Sequence, residues 1–471
     1  MTKINKFINC FTILLLIGIL ICNIVYFPFS HSLIFFISFL IFLFYLGNYY
    51  LYKKEKITSK CFYLILAIFF CLAIFLRLYF INHLTFNLSS DFALAFNTAT
   101  SIANNTPIAD AHYLSYNGYF YIFSNYLALI FKIFGSSIKV IMYSNLVHQL
   151  ISIFILYKIL CLKSTKATSL FLSILYFLMP SYIFTNLLVT TENVFMPFFF
   201  LIIYLTLKNI HNKTFSFKNY LFYLLLGILF CFTNYIRPAV SIFLIATVIY
   251  FILNMKHLKE IIFIVILIVS MSLSSQIMNI YIEHGLGEKT NEGALGWAVY
   301  YGTNYNHNGA WNLDDSEVIN SVLATDKDQN KQLIVKSIKR LENLGFIKTV
   351  RLAMVKYKNL WKDSFSTYPF VKLVVNEEKS TLNIDSFERP WQSISTMIVI
   401  VLCLLSIVSL IKLPLQLNDS KLILALFTIF YILSNLLVCI NGRYNLPIYP
   451  MLIFFSANFF ELLLKNNTKL T

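Results

Sequence analysis

The sequence has little charge. Only 12% of its 471 residues are Asp, Glu, Lys or Arg, whereas 58% are hydrophobic. Soluble domains are nearer a quarter charged and half apolar, so an ordinary soluble protein is excluded and a chain crossing a membrane many times is implied. Acids are the scarcer sign, 21 against 37 basic residues, for a formal charge of +16. Such an excess would suit nucleic acid if it covered one soluble face. Here the lysines sit in short loops between apolar runs, which excludes nucleic acid as a partner. No Cys-x-x-Cys pair exists among the eight cysteines, and all of them lie in or at the ends of apolar segments. This excludes a disulfide framework and a metal knuckle, and leaves small buried hydrophobes. No small-residue cleavage site follows the first apolar run, which starts after Lys3 and Lys6, and a second run follows at once. The first run therefore reads as an anchor rather than a signal peptide. No internal repeat is visible, which counts against transporters built from duplicated halves.

What the chain does have is Phe (47) and Tyr (30), residues suited to lipid-facing surfaces and interfacial belts. A span needs roughly 20 apolar residues. On that measure about twelve are expected, near 7–27, 32–52, 61–81, 138–160, 167–187, 191–207, 219–235, 238–255, 261–280, 393–411, 421–440 and 447–464. Residues 119–134, YFYIFSNYLALIFKIF, are ambiguous between a span and an interfacial segment. Lysine bias decides between them. With the N-terminus inside and 119–134 not crossing, the loops KKEK, KSTK, KNIHNKTFSFK, KHLKE and KLPLQLNDSK and the tail KNNTK all fall inside. The opposite short loops carry only Arg237 and Arg443. The expectation is a plasma-membrane protein with both termini cytoplasmic and 119–134 re-entrant or interfacial.

Four parts follow: an N-terminal hairpin at 1–60, a membrane core at 61–280 with a first outer loop at 82–137, an outer region at 281–392, and C-terminal spans at 393–471. The outer region holds a Gly/Asn-rich part and then a stretch with apolar residues at helical spacing.

This topology was set by lysines alone, yet it places the conspicuous polar residues near span ends on one side: Asp91, Glu192, Asn193, Arg237, Arg443 and Tyr444. Ionisable groups at membrane depth cost about 2.5–3.5 kcal/mol each on insertion scales and tend to mark a functional site or a mutual pair. Each also fits a structural role. Asp91 and Glu192 would favour helix N-termini behind Ser or Thr caps. Arg237 precedes a helix-starting proline, and either arginine can snorkel. Together, two acids and two arginines facing one compartment suit an anionic membrane-bound substrate. Arginine forks match phosphate oxygens, a carboxylate can take a proton from a hydroxyl, and a phosphate leaving group needs charge stabilisation rather than a protonating acid. That combination describes glycosyl transfer from a lipid-phosphate sugar.

The segments SSDFALAFNTATSIANN, YFYIFSNYLALIFKIFGSSIKVIMYSN, MPSYIFTNLLVTTENVFMPFFF, NYIRPAVSIFLIATVIYFIL, GTNYNHNGAWNLDD and GRYNLPIYP resemble, in that order, motifs of the GT-C superfamily. Specifically they are similar to bacterial glycosyltransferase family 39, which includes protein O-mannosyltransferases and the lipid A aminoarabinose transferase. The resemblance covers roughly residues 61 to 460. It implies an all-α polytopic membrane protein of the GT-C fold, with about 12–13 transmembrane helices and a smaller mixed extracytoplasmic domain. By the same resemblance Asp91 would be the general base, Glu192 would position a substrate, and Arg237 and Arg443 would hold the donor phosphate. Tyr300, Tyr301, Asn304, Trp311, Asp314 and Tyr444 would contact sugar. The expected partners are a polyprenyl-phosphate-linked sugar, an acceptor that is an envelope glycan, lipid or protein, and the bilayer. Attack would invert the anomeric centre.

The chain departs from the family where many members have paired acids. Here Ser90 precedes Asp91 and Phe92 follows it. Without an Asp-x-Asp motif no metal or other cofactor is expected, and His112 and His307 show no ligand spacing. The first two spans look like an N-terminal addition. Two alternatives stay open: a polysaccharide polymerase or ligase, and a lipid-linked glycan transporter. For the latter the only hint is Asn145, His148 and Gln149 within one span, which also suit helix–helix hydrogen bonds.

Overall fold

The computed structural model describes residues 3–27, 33–210, 215–255, 257, 260–290, 294–323 and 328–465. Parts of the expected inner loops at 208–218 and 256–260, and most of the lysine tail, lie outside them. The described chain is helical, with one isolated antiparallel bridge, Phe86 to Val375. In order the helices are α1 (Lys3–Val25), α2 (Leu33–Lys53), α3 (Ser59–His83), α4 (Ser90–Asn104), α5 (Ala111–Tyr116), α6 (Gly118–Phe134), α7 (Ile138–Leu160), α8 (Lys166–Phe177), α9 (Pro180–Thr185) and α10 (Thr191–Asn209). They continue with α11 (Phe217–Ile236), α12 (Ala239–Asn254), α13 (Ile261–Leu286), α14 (Ala294–Gly302), α15 (Leu313–Leu323), α16 (Gln329–Trp361), α17 (Tyr368–Val374), α18 (Asp385–Lys412) and α19 (Lys421–Leu437). A short 3-10 helix, Gly442–Ile448, leads into α20 (Tyr449–Lys465).

Among the described residues, seven helices are long and apolar enough to cross a membrane: α1, α3, α7, α10, α11, α13 and α18. The shorter apolar helices are α6, α8, α12 and α19. The protein is thus an all-α polytopic membrane protein. The expected span at 167–187 is interrupted. Met179 is extended (φ −60°, ψ 126°) and Pro180 opens a new helix, because a residue before proline is pushed out of the helical region. The core lies where α10 packs on α7 and α18 on α20. There Asn145 donates to the carbonyls of Asn186 and Leu188, and Gln149 to Tyr182 and Asn193. Asn145 and Gln149 of α7 therefore bond to neighbouring segments, the role that suited polar residues within one span.

Several helices expose apolar side chains, as at Leu14, Phe75, Ile133 and Ile277. Segment 119–134 is α6, packed against α4 and α11. It ends at Gly135, whose φ is +85°. Among the described residues, the region expected to form a mixed outer domain holds the helices α14, α15, α16 and α17. Within it α16 breaks at Gly345 (φ 74°, ψ 167°), a conformation open essentially to glycine alone. Beyond the break, Tyr357 donates to Leu15 O on α1, and Asn23 donates to Trp361 O.

Candidate active site

Breaks between helices bring the site together. Pro238 ends α11 by leaving no backbone donor, and holds Arg237 extended (φ −157°, ψ 122°). Extended Thr190 precedes α10 and sets Glu192 in its first turn. Asn441 caps the 3-10 helix through its side chain, accepting from the Arg443 N–H at 3.1 Å. Ser90 opens α4 with a positive φ of 51°, a sparsely populated conformation for a residue with a side chain, and Asp91 follows it in the first turn.

Sequence positions far apart then meet. Arg237 Nη1 lies 2.7 Å from Glu192 Oε1, and Arg443 Nη1 lies 3.7 Å from the same oxygen. The side chain of Glu192 is 4% exposed, those of the arginines 12% and 13%. Thr190 donates its hydroxyl to Glu192 Oε2 and accepts from Arg443 Nη1 at 3.1 Å. The Arg237 guanidinium stands 5.3 Å over the ring of Tyr444. That of Arg443 lies between Phe370 (4.3 Å) and Phe92 (5.4 Å). Aromatic faces favour such cations, more so when desolvated. Arg443 Nε is buried without a hydrogen-bond partner, an unspent donor in a polar site.

Asp91 faces this cluster. Burial among neighbouring groups pushes its carboxyl above the usual range; the Arg443 charge opposes the shift and Glu192 adds to it. Its surface is nevertheless exposed. Tyr113 behaves alike: it is 40% exposed, yet burial raises its phenol, with Asp91 and Tyr301 adding to the rise. Tyr119 senses Tyr113, Tyr444, Asp91 and Arg237 together.

Asp91, Glu192, Arg237, Arg443 and Tyr444 are thus assembled in one place. Asn193 is drawn elsewhere: its side chain donates to Thr185 O and accepts from Gln149. The outer-region residues are divided. Asn304 donates to Asp315 Oδ2 at 2.9 Å, Asp315 pairs with Arg340, and Tyr300 is buried under the Arg340 guanidinium. These four residues tie α14, α15 and α16 to one another. Trp311 is 62% exposed and reaches the Tyr301 phenol. Asp314 faces His307 at 3.4 Å, and His112 faces Glu288 at 3.0 Å. Sequence reasoning missed Thr190, Phe370, Tyr113 and Tyr119. The tyrosine-rich HYLSYNGYFY stretch was the one available signal for the last two.

A family model matches about a third of the chain. Residues 122–278 match the family model described as dolichyl-phosphate-mannose-protein mannosyltransferase. The match agrees with the resemblance to the GT-C superfamily and its family 39. It includes Glu192 and Arg237; Asp91 lies before it and Arg443 after it. Among solved structures, the crystal structure of ArnT from Cupriavidus metallidurans bound to undecaprenyl phosphate is similar at 9% identity and a TM-score of 0.37, over 84% of this chain and 75% of that one. No curated protein matches the chain.

Proposed function

We propose that the protein is an integral membrane glycosyltransferase that moves a sugar from a polyprenyl-phosphate donor to an acceptor hydroxyl on the outer face, with inversion. The observation that carries this reading is the Glu192 carboxylate between Arg237 and Arg443, with Asp91 exposed beside them. The two guanidiniums, with the unused Arg443 Nε, suit the phosphate of a lipid donor.

The chemistry then follows from the side chains. Asp91 takes the proton of the acceptor hydroxyl, and the oxygen attacks the anomeric carbon. The bond from that carbon to the phosphate oxygen breaks, and its electron pair stays on the phosphate. Arg443 and Arg237 stabilise the charge that develops there. Glu192 and Thr190 hold the two guanidiniums in place throughout. Attack from the face opposite the phosphate inverts the centre. Nucleotide sugars are not expected outside the cell, which favours a lipid-linked donor.

The test is mass-spectrometric sugar analysis of envelope glycans from cells lacking the protein, complemented with wild type or Asp91→Asn. The expected result is one sugar lost and restored by the wild type alone. Full restoration by Asp91→Asn would make Asp91 a helix-terminal acid and move polymerase or transport readings ahead.

A further inference from the structure

α10 carries Glu192 in its first turn and Lys208 in its last. At 1.5 Å of rise per residue the two stand about 24 Å apart along the helix, most of the roughly 30 Å of a bilayer core. At the Lys208 end, the ends of α7 and α10, the start of α19 and one side of α20 leave a cavity of about 200 Å³. One water needs only about 10–15 Å³, so the cavity has room for a larger group.

Three lysines line it, Lys163, Lys208 and Lys421, and among the described residues its lining holds no acid. Asp419 stands close by, 3.9 Å from Lys163 Nζ and 3.8 Å from Lys421 Nζ, beyond hydrogen-bond length for either. Lys421 Nζ donates instead to Asn458 Oδ1 at 2.6 Å, which holds it at the wall. Lys208 carries its ammonium 5.4 Å over the Tyr204 ring. Ser164 lines the same cavity, and its hydroxyl is buried without a hydrogen-bond partner. Buried hydroxyls are nearly always paired, and a ligand oxygen would accept from this one.

An ammonium binds phosphate as a point charge, and basic pockets between membrane helices bind phosphate-bearing headgroups. Most of the remaining lining is apolar, as Leu162 and Phe454 are, which suits a phosphate carried on an apolar molecule.

We infer that this cavity is a second anion site: it takes a phosphate group, with Lys163, Lys208 and Lys421 as counter-charges and Ser164 as a hydroxyl donor. The headgroup of an anionic phospholipid and soluble phosphate share that chemistry. The site stands apart from Glu192 and Arg237 and does not depend on the reaction there.

The full-length protein is placed in nanodiscs of phosphatidylcholine with or without phosphatidylglycerol, and native mass spectrometry counts the lipids it keeps on release. Wild type is expected to keep phosphatidylglycerol about fivefold or more over phosphatidylcholine. The double variant Lys208→Gln with Lys421→Gln should bring the ratio near one. Lys208→Gln alone, at an exposed position, should lower it in part. Lys158→Gln, in the last turn of α7 but outside the lining, should leave it unchanged. In the second arm, inorganic phosphate is added to the protein in phosphatidylcholine nanodiscs and thermal unfolding is followed. A rise in Tm that the double variant loses, without any preference for phosphatidylglycerol, supports the phosphate site and makes soluble phosphate its ligand. Equal retention of the two lipids together with no response to phosphate overturns the site. A loss in Lys158→Gln as large as in the double variant also overturns it, because retention would then follow net charge alone.

Discussion

Glu192 and Arg237 form a buried ion pair, Oε1 to Nη1 at 2.7 Å, joining the start of α10 to the break between α11 and α12. Arg443 approaches the same carboxylate from the opposite end of the sequence. The pair matters to the fold as well as to substrate, because a buried charge left without its partner is costly. Glu192→Ala is expected to destabilise the protein by about 3–5 kcal/mol. The double variant Glu192→Ala with Arg237→Ala should lose clearly less than the sum of the two single losses. Denaturation in detergent measures all three. Additive losses would mean that the two charges are not coupled.

The pH dependence tests Asp91. As a base it must be ionised, and burial lifts its carboxyl above the ordinary value of 3.8. kcat/KM should therefore fall with acid at a pH above that value. Arg443 favours the carboxylate and Glu192 disfavours it. Arg443→Gln should move the acid limb to higher pH and Glu192→Gln to lower pH. A pH–rate profile in which neither variant moves the limb would remove Asp91 as the titrating group.

The same shift makes a stability claim of known sign. A carboxyl whose pKa is raised by folding binds more protons in the native than in the unfolded state, so it weakens the fold as pH rises through that window. Asp91→Asn should thus abolish transfer and yet leave the protein as stable as wild type, or more so, at neutral pH. A helix-terminal acid in a purely structural role would give the opposite result, a loss of about 0.3–1 kcal/mol. Thermal unfolding of the variant beside wild type decides between them.

Lys356 ties α16 to the ends of α14 and α19. Its side chain is fully buried, and its Nζ donates to Gly302 O at 2.9 Å and Val438 O at 2.7 Å. These carbonyls stand at the ends of α14 and α19, where helix dipoles favour a cation. Gly302 fits this junction because a Cβ there would come within 2.3 Å of Leu437 O. Burial lowers the Lys356 ammonium to about 8. With the folded pKa below the unfolded one, the unfolded chain binds more protons between the two, so stability gains from this group as pH rises from about 8 toward 10.5. Lys356→Met should lose that gain. Parallel stability curves for the two proteins from neutral to alkaline pH would refute the assignment.

Topology is testable by labelling. In a background with the eight cysteines replaced, Lys132→Cys at the end of α6 should react with an impermeant reagent from outside, and Lys163→Cys after α7 should not. The reverse pattern would mean that α6 crosses and that the lysine-based map is inverted.

The sequence by itself determined the class of the molecule. Length and continuity of apolar runs need no tertiary context, because a bilayer imposes a fixed thickness on each segment. Hence α1, α3, α7, α10, α11, α13 and α18 were legible as spans. The motifs around Asp91, Glu192, Arg237 and Arg443 were legible too, since scarce charge in an apolar chain stands out. Only the tertiary structure decided how those charges pair. No local spacing relates Glu192 to Arg443, 251 positions later; the 3-10 turn capped by Asn441 brings them together. It likewise set Tyr113 near Asp91 and Trp297 beside Tyr113, and drew Asn304 away to Asp315. Apolar periodicity reports which face a residue takes. Which distant side chain it meets there depends on packing across helices, which the sequence encodes only through the whole fold.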